Sequence, residues 1–470
     1  MSGFTGAIQL VYVLAAACFV IGLHLMNSPA TARRGNQVSM AGMIIAVVAT
    51  LVLLIHDGTV TAAGWIVMIS GVLIGSAIGL YAARTVQMTA MPQLVSAFNA
   101  VGGGAAALIA IYGYIESEAN AGGVLGTTTV FTVLDVIIGA VTFSGSIIAA
   151  GKLQGVIGGQ PIIVKGGQAL NVALAVVAIG AAAFMLTTAS LPALLVVVLA
   201  SLAFGVMMVL PIGGADMPVV ISLLNAFTGT AVAMAGFVIG NWALIIAGAL
   251  VGASGGILTK LMADAMNRSL ANIIVGGFGT GDSAIAAAVA ADAQVRSIAA
   301  DDAAIQMAYA AKVIIVPGYG LAAAQAQHGV AELAKMLEDR GIEVSYAIHP
   351  VAGRMPGHMN VLLAEANVPY PQLKEMDEIN PEFARADVAL VIGANDVTNP
   401  AARRPGNDIS GMPILDVDHA KAIIVVKRSM GTGYAGMENE LYFDPKTSMF
   451  FADAKKAMTE LTAAVKTLVG

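Results

Sequence analysis

The sequence predicts a multi-pass α-helical membrane bundle followed by an α/β domain with a doubly wound parallel sheet. Three observations lead to this fold class: an uneven distribution of charge, long apolar segments in the first part, and strand-like runs alternating with helical patterns in the second. Charged residues make up 11% of the 470 residues, whereas soluble domains carry about 25%. Residues 1–270 contain 7 Lys and Arg and 6 Asp and Glu, and residues 271–470 contain 16 and 23. The first part is therefore expected in a membrane and the second in water.

The number of spans follows from segment length, because a helix needs about 20 mostly apolar residues to cross a bilayer. Nine segments satisfy this requirement, at roughly 5–26, 38–56, 62–83, 92–115, 129–151, 168–186, 191–210, 217–236 and 243–264. The basic residues of the first part all follow an odd-numbered segment or flank its end: Arg33, Arg34, Arg84, Lys152, Lys165, Lys260 and Arg268. Since loops rich in Lys and Arg stay in the cytoplasm, we predict an outside N-terminus and a cytoplasmic C-terminal domain.

Polar residues inside the spans are candidates for function, because an ionisable group is costly within a membrane. The candidates are His24, His56, Asn99, Asp135, Asp216, Asn225 and Ser254. The two histidines and Asp135 lie near predicted span ends, where contact with interfacial water explains them. Asn99 and Asn225 lie mid-span. Two interpretations remain open for these asparagines. They could form hydrogen bonds between helices, each of which stabilises a membrane protein by about 0.6 kcal/mol, or they could belong to a polar path through the membrane.

The second part is predicted to be a linker, residues 267–310, followed by an α/β domain, residues 311–470. The linker is rich in Gly, Ala and Asp. Strand-like runs occur at 312–316, 342–348, 387–392 and 422–426, and the clearest helical pattern spans 321–339. Apolar strands alternating with helices are typical of a parallel sheet covered on both faces.

A glycine motif follows the first predicted strand directly. Gly318, Gly320 and Ala323 form the G-x-G-x-x-A pattern between a strand and a helix. The first glycine allows a tight turn, the second lets the backbone approach a pyrophosphate, and the small Ala323 keeps the helix near the sheet. This pattern predicts a Rossmann-like dinucleotide-binding domain.

The strand ends indicate which dinucleotide is bound. No acidic residue follows the second predicted strand in the run Ile348–His358, where an NAD-selective domain usually has one. Lys427, Arg428 and Ser429 follow the fourth predicted strand. Two cations and a hydroxyl suit a 2′-phosphate and favour NADP(H), although a solvated basic turn is the alternative.

Composition also excludes some classes of function. The acidic second part argues against nucleic-acid binding, which needs basic clusters. Cys18 is the only cysteine, so one chain forms neither a disulfide nor a cysteine metal site. No metal site is expected.

Longer motifs give the sequence a family resemblance. Residues Gly318–Gln327, His349–Asn360, Gly393–Pro400 and Lys427–Gly436 resemble the NADP(H)-binding domain of proton-translocating NAD(P)⁺ transhydrogenases. Residues Gly213–Val220, Ser222–Asn225 and Gly252–Gly256 resemble that family's membrane domain. The likeness is to the β subunit and covers essentially the whole chain.

The resemblance implies an enzyme that moves hydride between NADH on a separate α subunit and NADP⁺ on this chain. It also implies coupling to proton translocation by residues 1–266, a dimer of αβ units, and a place in the bacterial cytoplasmic (inner) membrane. The nucleotide-binding residues implied are Gly318, Tyr319, Gly320, Ala323, Ala352, Gly353, Arg354, Met355, Pro356, Gly357, Gly393, Ala394, Asn395, Asp396, Lys427, Arg428, Ser429, Gly433, Tyr434 and Ala435. No covalent catalytic residue is implied; His349 and Asp396 are implied in coupling, and Asn99, Asp216 and Asn225 in the proton path.

The sequence departs from the family at Asn99. Several members carry there a histidine considered to be a proton relay, and asparagine cannot be protonated in a relay. We therefore predict that the α subunit or water completes the relay.

Two other functions fit the same two-part architecture. A membrane transporter with a cytoplasmic NADP(H)-sensing domain is the main alternative, but the spans lack the Pro-broken pairs expected at a midplane substrate site. An anchored NADP reductase is a weaker one, since one span would suffice for it.

Overall fold

The computed structural model describes residues 3–121, 127–158, 162, 164–213, 216–265, 270, 295–354, 357–405, 407, 409–433 and 435–469. The chain forms two compact units, one helical and apolar and one built on a β-sheet.

The helical unit confirms the predicted bundle. Within the described residues, nine helices are long and apolar enough to cross a membrane. Their bounds are α1 Gly3–Leu25, α2 Pro29–Asp57, α3 Ala62–Thr85, α4 Met91–Ala121, α5 Thr127–Gln154, α6 Gly167–Met185, α7 Leu191–Val209, α8 Met217–Ile239 and α9 Trp242–Ala265. Several helices are longer than the apolar segments, because polar turns such as that containing Arg33 and Arg34 continue the helix beyond the hydrocarbon.

Close backbone contact holds the centre of the bundle together. Helix α5 packs against α4 and α7, α7 also packs against α6, and α1 packs against α2. A methyl group on Gly139 of α5 would lie 2.5 Å from the carbonyl oxygen of Gly103 on α4. These glycines therefore allow the close helix approach expected where no solvent drives association. By contrast, α3 buries none of its residues.

Among the described residues of the bundle, two charged side chains are buried. Lys152, near the end of α5, donates hydrogen bonds from Nζ to the carbonyl oxygens of Leu210 and Ile212. These carbonyls lie just past the end of α7, where backbone acceptors lack partners within the helix, so Lys152 caps that end. Asp135 is fully buried. The expectation that Asp135 faces interfacial water is wrong, because the turn that carries it is enclosed by neighbouring helices.

The second unit contains a six-stranded parallel sheet in the order β3-β2-β1-β4-β5-β6. The strands are β1 Lys312–Pro317, β2 Glu343–Ile348, β3 Leu373–Glu375, β4 Val388–Ile392, β5 Ala422–Lys427 and β6 Thr447–Phe451. Apolar cores cover both faces of the sheet. The predicted doubly wound sheet is confirmed, but β3 and β6 were not anticipated, so the predicted fourth strand is β5.

The helices of this unit differ from the prediction in one place. The pattern at 321–339 forms two helices, α11 Tyr319–Ala323 and α12 Gln327–Glu338. They are separated at Gln325, whose φ is +52°, a conformation that ends a helix. Further along the chain come α13 His358–Glu365, α14 Met376–Ile379 and α15 Ala454–Val469.

The predicted linker contains ordered structure at its end. Helix α10, Ala300–Ala308, lies within residues 267–310 and buries Ala303, Ala304 and Met307 in the core of the sheet unit. Its motif Gly276–Asp282 lies outside the described residues.

Candidate nucleotide site

A cavity of about 570 Å³ opens at the carboxyl ends of the central strands. Strands β1 and β4 are neighbours in the sheet, although β2 and β3 separate them along the chain. Open parallel sheets bind ligands where the strand order reverses in this way. The cavity therefore lies at the position that the fold favours for a nucleotide.

The floor of the cavity is backbone. Gly318 donates a hydrogen bond from its amide to Ile392 O (2.9 Å), and the Gly320 amide donates to Gly393 O (3.0 Å). A Cβ on Gly318 would lie 2.4 Å from the backbone of Ala394. Gly393 adopts a φ of +69°, which favours glycine. The glycines of the motif thus allow the loop after β1 to touch the loop after β4, a requirement that the sequence argument did not include.

One wall carries the predicted basic residues. Lys427 donates from Nζ to Gly431 O, and its ammonium group lies 4.6 Å from the centre of the Tyr442 ring. Burial lowers the pKa of Lys427, and the nearby charge of Asp396 opposes this shift. Arg428 is exposed, and among the described residues it has no ion-pair partner. Arg428 is thus available for an anion, whereas Lys427 also holds the loop.

A network next to this wall joins the loop after β4 to the loop after β5. The Asp396 carboxylate accepts a hydrogen bond from the Ala435 amide (3.1 Å), and a Cβ on Gly433 would lie 2.4 Å from it. With its amide oriented to satisfy all neighbours, the Asn395 oxygen accepts from Lys427 Nζ (3.2 Å) and from the Gly433 amide (2.6 Å). The two loops are therefore held together by side chains of the site itself.

The opposite wall is formed by the loop after β2. The Arg354 guanidinium lies 4.3 Å from the centre of the Tyr319 ring, a stacking that stabilises a cation over an aromatic face. The Arg354 amide donates to His358 Nδ1 (3.1 Å). Burial, with a smaller contribution from the charge of Arg354, lowers the pKa of His358. Gly353 and Gly357 both have positive φ, which lets this loop turn back on itself.

His349 has a structural position in this arrangement. Its Nδ1 accepts a hydrogen bond from the Val351 amide (3.2 Å), so its Nε2 donates to Pro413 O (2.8 Å). Burial lowers the pKa of His349 to about 4, and the ring is therefore neutral near pH 7. His349 lies outside the cavity lining, whereas Asp396 lies within it.

Most of the predicted binding residues converge on the cavity. Those lining it are Gly318, Tyr319, Gly320, Ala323, Ala352, Gly353, Gly393, Ala394, Asn395, Asp396, Lys427, Arg428, Ser429, Gly433 and Ala435. Arg354 and Gly357 belong to the same loop but are not in the lining, and Met355, Pro356 and Tyr434 lie outside the described residues. Among the described side chains, no group of three potential metal ligands occurs.

Sequence reasoning missed two parts of the lining. Ile409 and Met412 form an apolar patch, and Asp453 follows β6. The position of Asp453 would have been apparent only if the short run Thr447–Phe451 had been recognised as a strand.

Two of the residues predicted for a proton path, Asn99 and Asn225, lie within the helical unit. Asn99 is buried; its side-chain Nδ2 donates to Ile221 O (3.3 Å), and its main-chain carbonyl oxygen accepts from the Thr228 hydroxyl (3.3 Å). This confirms hydrogen bonding between α4 and α8. Asn225 lies on α8, two turns from its start, and Asp216 lies in the turn before α8.

Comparison with known proteins adds independent information. The model of the family described as NAD(P) transhydrogenase beta subunit matches residues 8–464. The chain belongs to this family. Two relatives named NAD(P) transhydrogenase subunit beta, one from Rhodospirillum rubrum and one from a particular strain of that species, are each 50% identical over 460 residues. Each alignment covers 97% of this chain and 98% of the relative.

Membership of the NAD(P) transhydrogenase beta subunit family establishes several properties. The protein is an oxidoreductase subunit that uses nicotinamide nucleotides. As a beta subunit it has a partner subunit, and the nine apolar helices among its described residues make it a multi-pass membrane protein.

Proposed function

We propose that residues 311–470 bind NADP(H) and exchange hydride with NADH held by an α subunit. In this proposal residues 1–266 translocate protons, residues 267–310 connect the two parts, and αβ units form a dimer. The C-terminal part lies in the cytoplasm and the N-terminus outside the bacterial inner membrane.

The observation that carries the NADP(H) assignment is the position of Arg428 beside a glycine-lined cavity. The cavity is within the 300–1,000 Å³ range of small-molecule sites. Its floor of close-packed backbone leaves room for a flat, charged ligand, and the exposed Arg428 and Ser429 offer a cation and a hydroxyl. A guanidinium can bind phosphate through two parallel hydrogen bonds, which fits a 2′-phosphate.

The residues of the site bind and orient rather than react. Hydride transfer between two nicotinamide rings requires alignment and exclusion of water, so no acid–base residue is needed at the reacting carbon atoms. The Gly318–Gly320 turn and the loops at Arg354 and Asp396 would fix one ring. The partner subunit must bring the other.

Coupling is assigned to the loops rather than to a titrating His349–Asp396 pair. Asp396 reaches the backbone of the loop after β5, so its protonation or displacement would change the wall that holds the nucleotide. His349, neutral and hydrogen-bonded on both ring nitrogens, supports the neighbouring loop. Reciprocal linkage then requires that proton binding and NADP(H) affinity affect each other equally.

The experiment is to reconstitute the chain with its α subunit in vesicles and to supply NADH and NADP⁺. Formation of NADPH together with movement of protons into the compartment facing the nucleotide domains is expected. NADPH binding without hydride transfer would instead support a transporter with a nucleotide sensor.

A further inference from the structure

Helix α5 contains a carboxyl group for which the residues discussed so far give no reason. Asp135 is fully buried, and neither of its carboxylate oxygens has a hydrogen-bond partner among the described residues. An unpaired ionised carboxylate in an apolar interior is strongly disfavoured. Acidic residues inside spans are rare and mark proton or ion paths.

A cavity of about 710 Å³ lies at the end of the bundle where α5 begins. Its polar lining comes from α4 and α5 and consists of Tyr112, Tyr114, Glu116, Thr128, Thr129 and Thr132. Thr132 precedes Asp135 by three positions, so the two side chains are neighbours on the helix surface. Asp135 lies about 4.5 Å further along the helix axis than Thr132. The threonines therefore lead from the cavity to the buried carboxyl group.

The face of α5 that carries Asp135 is turned toward α8. Phe131, four positions before it, stacks on Phe237 of α8 with ring centres 4.4 Å apart. Ile138, three positions after it, packs against an α8 alanine cluster that includes Ala231. Asp135 lies between these contacts on the helix surface.

Polar groups continue beyond Asp135 on the same side of the bundle. Thr142 lies two turns deeper in α5 and contacts Gly103 of α4. One turn before Gly103, Asn99 forms the hydrogen bond with Thr228 described above. Along the axis, Asp135 thus has Thr132 on the side of the cavity, and on the other side Thr142 at about 10 Å and the Asn99–Thr228 pair at about 16 Å.

We propose that Asp135 is a proton-carrying residue of the translocation path. Its carboxyl group takes a proton from water in the cavity of about 710 Å³ and releases it toward Thr142 and, beyond it, Asn99, with no change in electron count. The inference rests on the proposed proton coupling. It places a titratable group within this chain, in place of the predicted relay through the α subunit or water.

The test uses the αβ complex in vesicles and compares Asp135→Asn, Asp135→Glu and the control Asp57→Asn. Asp57 is an exposed carboxylate at the end of α2, outside the proposed path. Proton movement is followed with a pH-sensitive dye, hydride transfer by absorbance, and NADPH binding by titration. Asp135→Asn should lower proton movement and coupled hydride transfer by roughly tenfold or more. NADPH affinity should stay within about twofold, Asp135→Glu should restore part of the rate, and Asp57→Asn should match the unmodified complex.

The outcomes separate this inference from the proposed function. An unmodified complex that transfers hydride without moving protons would remove the proposed coupling, and Asp135 with it. Proton movement at the normal rate in Asp135→Asn would overturn the role of Asp135 alone.

Two further measurements test the proposal if the complex with Asp135→Asn does not assemble. Thr132→Val keeps the shape of the side chain but removes its hydroxyl, and proton movement should slow severalfold; an unchanged rate overturns the path through Thr132. In infrared spectra, Asp135→Glu should shift the carbonyl band of a protonated carboxyl group that exchanges in D₂O. The absence of any such shift overturns the assignment.

Discussion

Replacing Arg428 with Gln is expected to weaken binding of NADPH and to leave binding of NADH unchanged. The guanidinium is exposed at the cavity and pairs with no acidic residue among those described, so its loss breaks no internal ion pair. Hydrogen bonds to a charged group contribute about 1.5–3 kcal/mol. Loss of that contribution to a 2′-phosphate raises the Kd for NADPH by about 10- to 150-fold.

The assay is isothermal titration of the full chain in detergent with each nucleotide in turn. Arg385→Gln is the matched control, because Arg385 is also exposed and has no ion-pair partner in the described part of the same unit. An NADPH affinity in Arg428→Gln within twofold of the control would refute the assignment of Arg428. An equal loss of NADH affinity would show that Arg428 contacts a part common to both nucleotides.

Three further changes test individual contacts. Gly318→Ala should lower the melting temperature and abolish NADPH binding, since the added Cβ would lie 2.4 Å from the Ala394 backbone. The control Gly431→Ala, whose Cβ would lie 3.6 Å from its nearest neighbour, should change the melting temperature little. Equal melting temperatures for the two variants would contradict the packing argument. His349 has a folded-state pKa of about 4, below its ordinary value. Its contribution to stability is therefore complete above about pH 6.5 and falls by about 1.4 kcal/mol per unit as the pH drops toward 4. His349→Asn should flatten this slope in denaturant titrations, and an unchanged slope would count against a neutral His349. Lys152→Met removes the ammonium donor from the carbonyl oxygens of Leu210 and Ile212, of which Leu210 O keeps the Ile162 amide as a second donor. The melting temperature in detergent should fall by several degrees; no decrease would show that water replaces the ammonium group.

The membrane half could be predicted well because its signals are long and repeated. Each span needs about 20 apolar residues, and the positions of the basic residues between the segments give an independent check on the number of spans. The prediction that failed in this half concerned the surroundings of a single residue. Asp135 occurs early in its segment, and its burial depends on packing with α8, which no single segment reveals.

In the sheet unit, short elements were missed for a related reason. Strand β3 has three residues, none of them buried, so it carries no apolar pattern. Strand β6 is buried but only five residues long and follows a polar turn. The break at Gln325 depends on one positive φ, which helical periodicity does not report.

The candidate site was predicted as a set of strand ends, and parallel strands bring such ends to one edge. The division of tasks within that set was not predictable. Lys427 and Arg428 are adjacent in the sequence, yet the former contacts its own loop and the latter is exposed. Only the three-dimensional path of the loop after β5 separates them.

The contact between the Gly318 and Gly393 loops has a consequence for redesign of nucleotide preference. These loops are fixed to one another by backbone hydrogen bonds and have no room for a side chain. The segments at Arg354 and Arg428 are held by side chains instead, the first by stacking on Tyr319 and the second through Asp396 and Asn395. Libraries intended to convert the protein to NAD(H) should therefore vary these outer segments and keep Gly318, Gly320 and Gly393. Substitutions at these glycines would disrupt folding before they change nucleotide selectivity.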